Sequence, residues 1–359
     1  ARARCRSDPR AHPPEQVAER GVEEVLRRVG VGLGVLAHVH RQMVDTFEVL
    51  VVLVIVDVAP LRIVGGARHL VQSVLKIGIV AIRHKRAPAL KAAILAFGLQ
   101  SDKRLLDMLA GVEATLRHAG FSFSLVNYSP FENTQQQIAD IAEAQYDGVI
   151  ILATEMFESD FMPFASLDCP LLLLDSCMSA GVDTVKIDNA ASMMLAVQYL
   201  HSKYGSVPGL LTTPVTVGNF TERRFAYEHA IGQLSGSEKF GTIHELAVAP
   251  DEAYAGMLDI IDSGEPLAQN YVAVFDDIAI GAMKAFIERG YRVPDDVRIV
   301  GFDNNAGGTY VQPQLTTLNV PSEYMGAIAA RRLVEIIDEA EHHPLKIELG
   351  ASLIKRRSA

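Results

Sequence analysis

Four apolar runs between residues 171 and 302 of this 359-residue chain end on acidic side chains. Asp175 follows Leu171–Leu174, Asp188 follows Val185–Ile187, Asp276 and Asp277 follow Val272–Phe275, and Asp303 follows Ile299–Phe302. Carboxylates accept hydrogen bonds and donate none when ionised, so several converging on one place suit the hydroxyl groups of a polyol or sugar. Aspartate is also a common helix N-cap, and Asp188 and Asp277 each precede a helical pattern, so capping accounts for them equally well. Asp303 instead leads into Asn305-Ala306-Gly307-Gly308, a loop composition, which makes it the better ligand contact. Two carboxylates flanking a glycosidic bond would do acid–base chemistry, and Asp276 with Asp277 would suit magnesium. No nucleophile motif, HExxH, phosphate loop or Cys–His pair accompanies them. The expectation is therefore a binding protein and not an enzyme, with no cofactor, no catalytic residue and no metal.

The elements that must carry these residues are legible from residue 93 onward. Strand-length apolar runs alternate with amphipathic helices. Arg104–Arg117 places Leu105, Met108, Leu109, Val112 and Leu116 at helical spacing, and Gly120 ends it. Strands are expected at Phe121–Tyr128, Val149–Ala153, Leu171–Leu174, Val207–Leu211, Ile243–Val248, Val272–Phe275 and Arg298–Phe302. Helices are expected at Thr134–Gln145, Ala190–Tyr204, Glu222–Leu234, Asp251–Ile261, Ile278–Arg289 and Ser322–Glu341. Such alternation implies an α/β fold of parallel sheets flanked by helices. Its length favours two lobes over one open sheet. In folds of this kind ligands lie beyond the carboxyl ends of the strands, which is where the four acidic positions fall.

The amino end is of another character. Residues 1–92 hold 15 basic against 8 acidic side chains, net +7, while the remainder holds 18 basic against 35 acidic, net −17. A basic arm on an acidic body points to an anionic partner such as nucleic acid. Gly30-Val31-Gly32-Leu33-Gly34 lacks the third glycine offset of a dinucleotide loop. The longest apolar run, Val49–Val56 between Glu48 and Asp57, is far short of the ~20 residues needed to cross a bilayer. Cys5, Cys169 and Cys177 have no metal-ligand spacing. With no secretory pattern at the start, a reduced, cytoplasmic setting is expected.

Five stretches, in order, resemble the lactose/galactose repressor (LacI/GalR) family. They are Tyr146–Leu152, Val185–Asn189, Phe275–Met283, Val293–Asn304 with Gln314–Leu318 after it, and Pro321–Gly326. The resemblance covers about 93–357 and implies a two-lobed, periplasmic-binding-protein-like core with three crossovers and a ligand in the cleft. It implies effector contacts at Asp303, at Arg223 (four residues before Tyr227, with Ala226 where the family has glycine), at the cleft-edge Asp175, and at Asp276, where the family often has asparagine. The first strand–helix turn reads Asp102-Lys103-Arg104-Leu105 where the family has Asn-Pro and two aromatics. Asp102 and Leu105 would then meet the effector without an aromatic wall, and Phe220 is a candidate substitute. Val17–Val25 lacks the Ser and Thr residues of the family's helix-turn-helix. Arg86-Ala87-Pro88-Ala89-Leu90-Lys91 resembles the hinge, with Leu90 as minor-groove wedge and Arg86 and Lys91 beside it.

The expected organisation is an atypical segment 1–92 with a hinge at 86–92, an N-terminal lobe of 93–187 with 320–342, and a C-terminal lobe of 188–319 with 343–357. The expected function is a sugar-responsive, DNA-binding repressor, homodimeric and without membrane partners. The alternative is a sugar-binding protein with no DNA role. On this reading Asp303→Ala removes the effector response and leaves the fold intact, and deleting 1–92 leaves a folded body.

Overall fold

The computed structural model describes residues 79–83, 91–97, 103–128, 133–178, 180–235, 241–339 and 343–359. The chain divides into two units, Ala1–Gly66 and Ala67–Ala359, and every described residue belongs to the second.

Two sheets organise that unit. The first holds seven strands in the order β1 (Ile79–Arg83), β3 (Ser122–Tyr128), β2 (Lys91–Phe97), β4 (Gly148–Leu152), β5 (Leu171–Leu174), β6 (Asp183–Ile187) and β12 (Lys346–Leu349). Only β1 runs antiparallel to its neighbours. The second holds six, ordered β13 (Ser352–Ile354), β11 (Thr316–Asn319), β10 (Arg298–Phe302), β9 (Asn270–Ala273), β7 (Gly209–Thr212) and β8 (Ile243–Glu245), with β13 antiparallel. Every residue of β4 and β5 is buried, the pattern of parallel strands covered on both faces.

Helices α1 (Lys103–His118) and α9 (Ser322–Asp338) pack together, and α9 also covers β4, β5 and β6 of the first sheet. The two backbones almost touch. A methyl on Gly111 would come within 1.9 Å of the Glu323 carbonyl oxygen, and one on Gly326 within 2.0 Å of that of Met108. On the second sheet α4 (Asn189–Tyr204) packs against α5 (Gly218–Ser235), and α6 (Pro250–Ser263) against α7 (Asp276–Glu288). Asp188 caps α4, its Oδ1 accepting from the Ala191 N–H at 2.8 Å, and Gly205 at φ 75° closes the helix. The chain crosses between sheets three times: at Asp188, between Asn319 and Ser322, and at Gly350-Ala351. The first and third crossings are tied, since the Asp188 N–H donates to the Leu349 carbonyl at 2.8 Å. Among the described residues no helix is long and apolar enough to cross a membrane.

Three expectations need correction. Ile79–Arg83, read as part of a separate amino-terminal segment, is an edge strand of the first sheet, paired with both β2 and β3. Deleting 1–92 would therefore remove β1 and the start of β2. Lys91, read as a hinge residue beside DNA, opens β2 in register with Arg83 and Ser122; the apolar run behind it pairs as a strand from its first residue. Arg86 and Leu90 lie outside the described residues. Finally, Lys346–Leu349 pairs with β6 of the first sheet, not with the second. The third crossing falls four residues after Lys346, so only the residues beyond that crossing join the C-terminal lobe.

Candidate functional site

Parallel strands end their carbonyl-terminal tips on the same side of a sheet, and here the tips of β5 and β10 face each other across the lobes. Asp175, one residue past β5, has φ 58° and is held by its N–H on the Val185 carbonyl at 2.8 Å. Asp303, one residue past β10, has φ 102°, and its N–H donates to the Leu318 carbonyl at 2.9 Å. Positive φ is tolerated best by Gly, Asn and Asp. At Asp303 the value lies beyond the ordinary left-handed well, a strain of order 1–3 kcal/mol that surrounding structure must hold. Asn304, at φ 56°, continues the turn.

Arg223 on α5 is completely buried and uses its whole fork. Its two terminal nitrogens donate to Asp303 Oδ2 and Oδ1 at 3.0 and 3.1 Å. Nε donates to Asn189 Oδ1 at 2.9 Å, and Nη1 also meets the Val274 carbonyl at 2.8 Å. The guanidinium lies 3.6 Å over the Phe302 ring. A bidentate, stacked guanidinium of this kind is the strongest form of the contact.

Arg104, in the first turn of α1, enters the same crevice from the first lobe. Nη2 donates to Asp175 Oδ2 at 2.8 Å and Nη1 lies 3.2 Å from Asp303 Oδ1. Asp175 also accepts from Thr154 Oγ1 at 2.8 Å and from Asn219 Nδ2, across the lobes, at 3.3 Å. Asn219 Oδ1 accepts from Asn189 Nδ2 at 2.9 Å and from the Cys177 thiol at 3.4 Å. Burial pushes that thiol up to about 12, so it stays protonated. Asn189 Nδ2 also donates to Glu222 Oε2 at 2.9 Å, and Lys186 Nζ donates to both Glu222 oxygens at 2.5 and 2.7 Å. Burial alone would raise the Glu222 carboxyl, but Lys186 and Asn189 outweigh it and hold it below the ordinary range.

Asp276 behaves differently from its neighbours. Its Oδ1 accepts from Thr317 Oγ1 and its Oδ2 from the Asn305 N–H, each at 2.6 Å. Burial, with the nearby Asp303 charge adding to it, pushes its carboxyl up to about 8 against the pull of the Thr317 hydrogen bond. Each oxygen thus accepts a hydrogen bond inside the C-terminal lobe, and together they fasten the loop that follows Asp303. Asp276, expected as an effector contact, is fully buried and braces the turn beside Asp303. Its neighbour Asp277 accepts from Asn305 Nδ2 at 3.3 Å.

Of the residues expected at the effector, Asp303, Arg223 and Asp175 are brought together. Leu105 is not: it is 1% exposed and packs in the apolar core beneath α1. Asp102 lies outside the described residues. Phe220 packs against Phe275, ring centroids 5.9 Å apart. Asp188 serves as a cap. The residues not anticipated are Arg104, Thr154, Asn189, Asn219, Lys186 and Glu222. Lys186 carried a signal, being a charged residue between two apolar ones in a strand. Arg104 did too, sitting beside Leu105 in the very turn compared with the family.

Known proteins resemble this chain in sequence and in fold. A family profile described as the periplasmic binding protein-like domain matches residues 197–359. The HTH-type transcriptional repressor PurR of Edwardsiella ictaluri is 26% identical over 259 residues, 70% of this chain and 75% of that one. Two solved structures share the fold with TM-scores of 0.65 over 74% of this chain. The transcriptional regulator CelR in complex with cellobiose is 22% identical, with 84% of its chain covered. The Lac repressor bound to ONPG is 18% identical, with 81% covered. In its two sheets joined by three crossings, the charged groups at their strand tips and the repressors among its sequence relatives, this body resembles an effector-binding core of the lactose/galactose repressor (LacI/GalR) type.

Proposed function

We propose that the chain is a transcriptional repressor whose affinity for operator DNA is set by a small molecule, a sugar or sugar derivative, bound in the crevice between its lobes. The observation that carries this is the meeting of Asp175 and Arg104 from one lobe with Asp303 and Arg223 from the other. An ionised carboxylate has about four acceptor sites, so Asp303 and Asp175 keep acceptor capacity for hydroxyl groups beyond the bonds they already make. CelR and the Lac repressor, whose folds this body shares, were solved with cellobiose and ONPG. A ligand that touches both lobes favours one angle between them, and in a homodimer that angle sets the spacing of two DNA-binding arms. Coupling of this kind is typically worth about 1–3 kcal/mol. Operator DNA and a cytoplasmic setting belong to the same reading, with the DNA contacts in residues outside those described.

The test is calorimetric titration of the full chain with a panel of mono- and disaccharides, repeated with Asp303→Asn. Asparagine fills the same space and keeps one acceptor, whereas Asp303→Ala would strand Arg223 as a buried unpaired charge. The expected result is at least one sugar that binds, with affinity lowered about 10- to 100-fold in the variant, the worth of a hydrogen bond to a charged group. A sugar that binds the folded variant as tightly as the wild type removes Asp303 from the site.

A further inference from the structure

Asp175 and Asp303 belong to opposite sheets, and both are nearly buried, at 1% and 4% exposure. Two carboxylates brought toward one another out of water repel, and that repulsion grows as the surrounding dielectric falls. Arg223 neutralises Asp303, but its fork stays within the C-terminal lobe on Asp303, Asn189 and the Val274 carbonyl, so it draws nothing across the crevice. Among the described residues, one guanidinium lies between the two carboxylates. Arg104 is rooted in α1 of the N-terminal lobe, donates to Asp175 of that lobe at 2.8 Å and stands 3.2 Å from Asp303 of the other. Its side chain is about 10% exposed, so the contact is poorly screened by water. Other polar links across the lobes are of lesser reach: Asn219 donates to Asp175 at 3.3 Å as a neutral group, the Cys177 thiol donates weakly to Asn219 at 3.4 Å, and Lys186 with Glu222 sits beside the first crossing.

We infer that Arg104 is a positioning residue that closes the crevice: a guanidinium reaching from α1 and Asp175 across to Asp303, whose loss removes the charged link that draws the two lobes together. This goes beyond the effector-binding reading, because the closure it describes requires no effector. An entering ligand meets a crevice already drawn together by Arg104 and must share or take over its two carboxylates.

The experiment uses the full chain without any sugar, so that its outcome is separate from whether an effector is found. Spin labels are placed by non-cysteine chemistry at Ala114 on α1 and Glu252 on α6, both exposed and one on each lobe, and the distance between them is read by pulsed electron resonance. Arg104→Ala is expected to raise the ratio of open to closed lobes about tenfold, within the usual range of such couplings. Millimolar ethylguanidinium, which supplies the missing group in trans, is expected to restore the short distance, while ethanol at equal concentration does not. Arg104→Lys keeps a cation and is expected to fall between. Arg104→Gln, with near-native bulk and no charge, serves if the alanine variant does not fold. An unchanged distance in the folded Ala or Gln variant overturns the proposal, and so does a lengthened distance in the alanine variant that ethylguanidinium leaves untouched.

Discussion

The two walls of the crevice are built on opposite plans. On the C-terminal wall every charged group is fastened several times over. Arg223 makes four hydrogen bonds and a ring contact, Asp303 is gripped by both ends of that fork, and Asp276 ties the supporting loop through Thr317 and Asn305. The N-terminal wall offers Asp175, steadied within its own lobe by Thr154 and Arg104, and a single long arginine from a helix turn. A wall whose polar groups are locked before the ligand arrives loses little freedom on binding, which is what preorganisation means in energetic terms. The difference suggests that affinity resides mainly on the C-terminal side and closure mainly on the N-terminal side.

That division can be broken or sharpened by substitution. The largest effect is expected from Arg223→Ala, which strips buried Asp303 of its bidentate partner, leaving it to Arg104 alone, and should destabilise the protein by about 3–5 kcal/mol in urea unfolding. A loss below ~1 kcal/mol would mean that the pair is exchangeable and the wall is not locked.

Next comes Asp276→Asn, read as stability against pH. The wild-type carboxyl is raised in the folded protein, to about 8 from an ordinary 3.8. The folded state therefore holds the proton more tightly than the unfolded chain does. The favourable contribution is fully present below about pH 4 and is lost progressively as pH rises through about 8. The asparagine variant should lose less stability than the wild type over that span, and parallel pH profiles for the two proteins would refute the assignment.

The smallest effect is expected on the sparse wall. Thr154→Val removes one donor to Asp175 and should cost about 1–2 kcal/mol by the same urea measurement. If it matched Arg223→Ala, the two walls would be equals and the contrast would fall.

The strand-tip rule picked out Asp303 and Asp175 in the sequence, along with Asp188, which caps a helix instead, because a carboxylate after an apolar run can serve either purpose. Arg223 emerged only through the family motif, since arginines on helix faces are common and nothing local marks this one as buried. Leu105 illustrates how a resemblance can mislead. Its own spacing with Met108, Val112 and Leu116 already assigned it to the core face of α1. One step along that turn, about 100° round the helix, Arg104 faces the crevice instead. Asp276 was placed correctly in space, but its burial and its two donors come from β11 and the loop after β10, contacts that a local reading does not contain. The short strands β11, β12 and β13 were not expected for a similar reason. They are three or four residues long, and β12 and β13, at sheet edges, hold only half-buried and exposed residues, so their pairing depends on strands far away in the chain.

The glycine contact between α1 and α9 bears on how the crevice opens. With Gly111 and Gly326 letting each backbone lie against the other's carbonyl oxygens, neither helix has room to ride over its neighbour; close-packed interfaces resist gradual sliding and change by discrete steps. Arg104 is thus a passenger on a stiff two-helix beam whose far member begins just after the second crossing. Any rotation there swings the guanidinium through an arc as one piece, so a small turn of the crossover peptides becomes a large displacement at the mouth of the crevice.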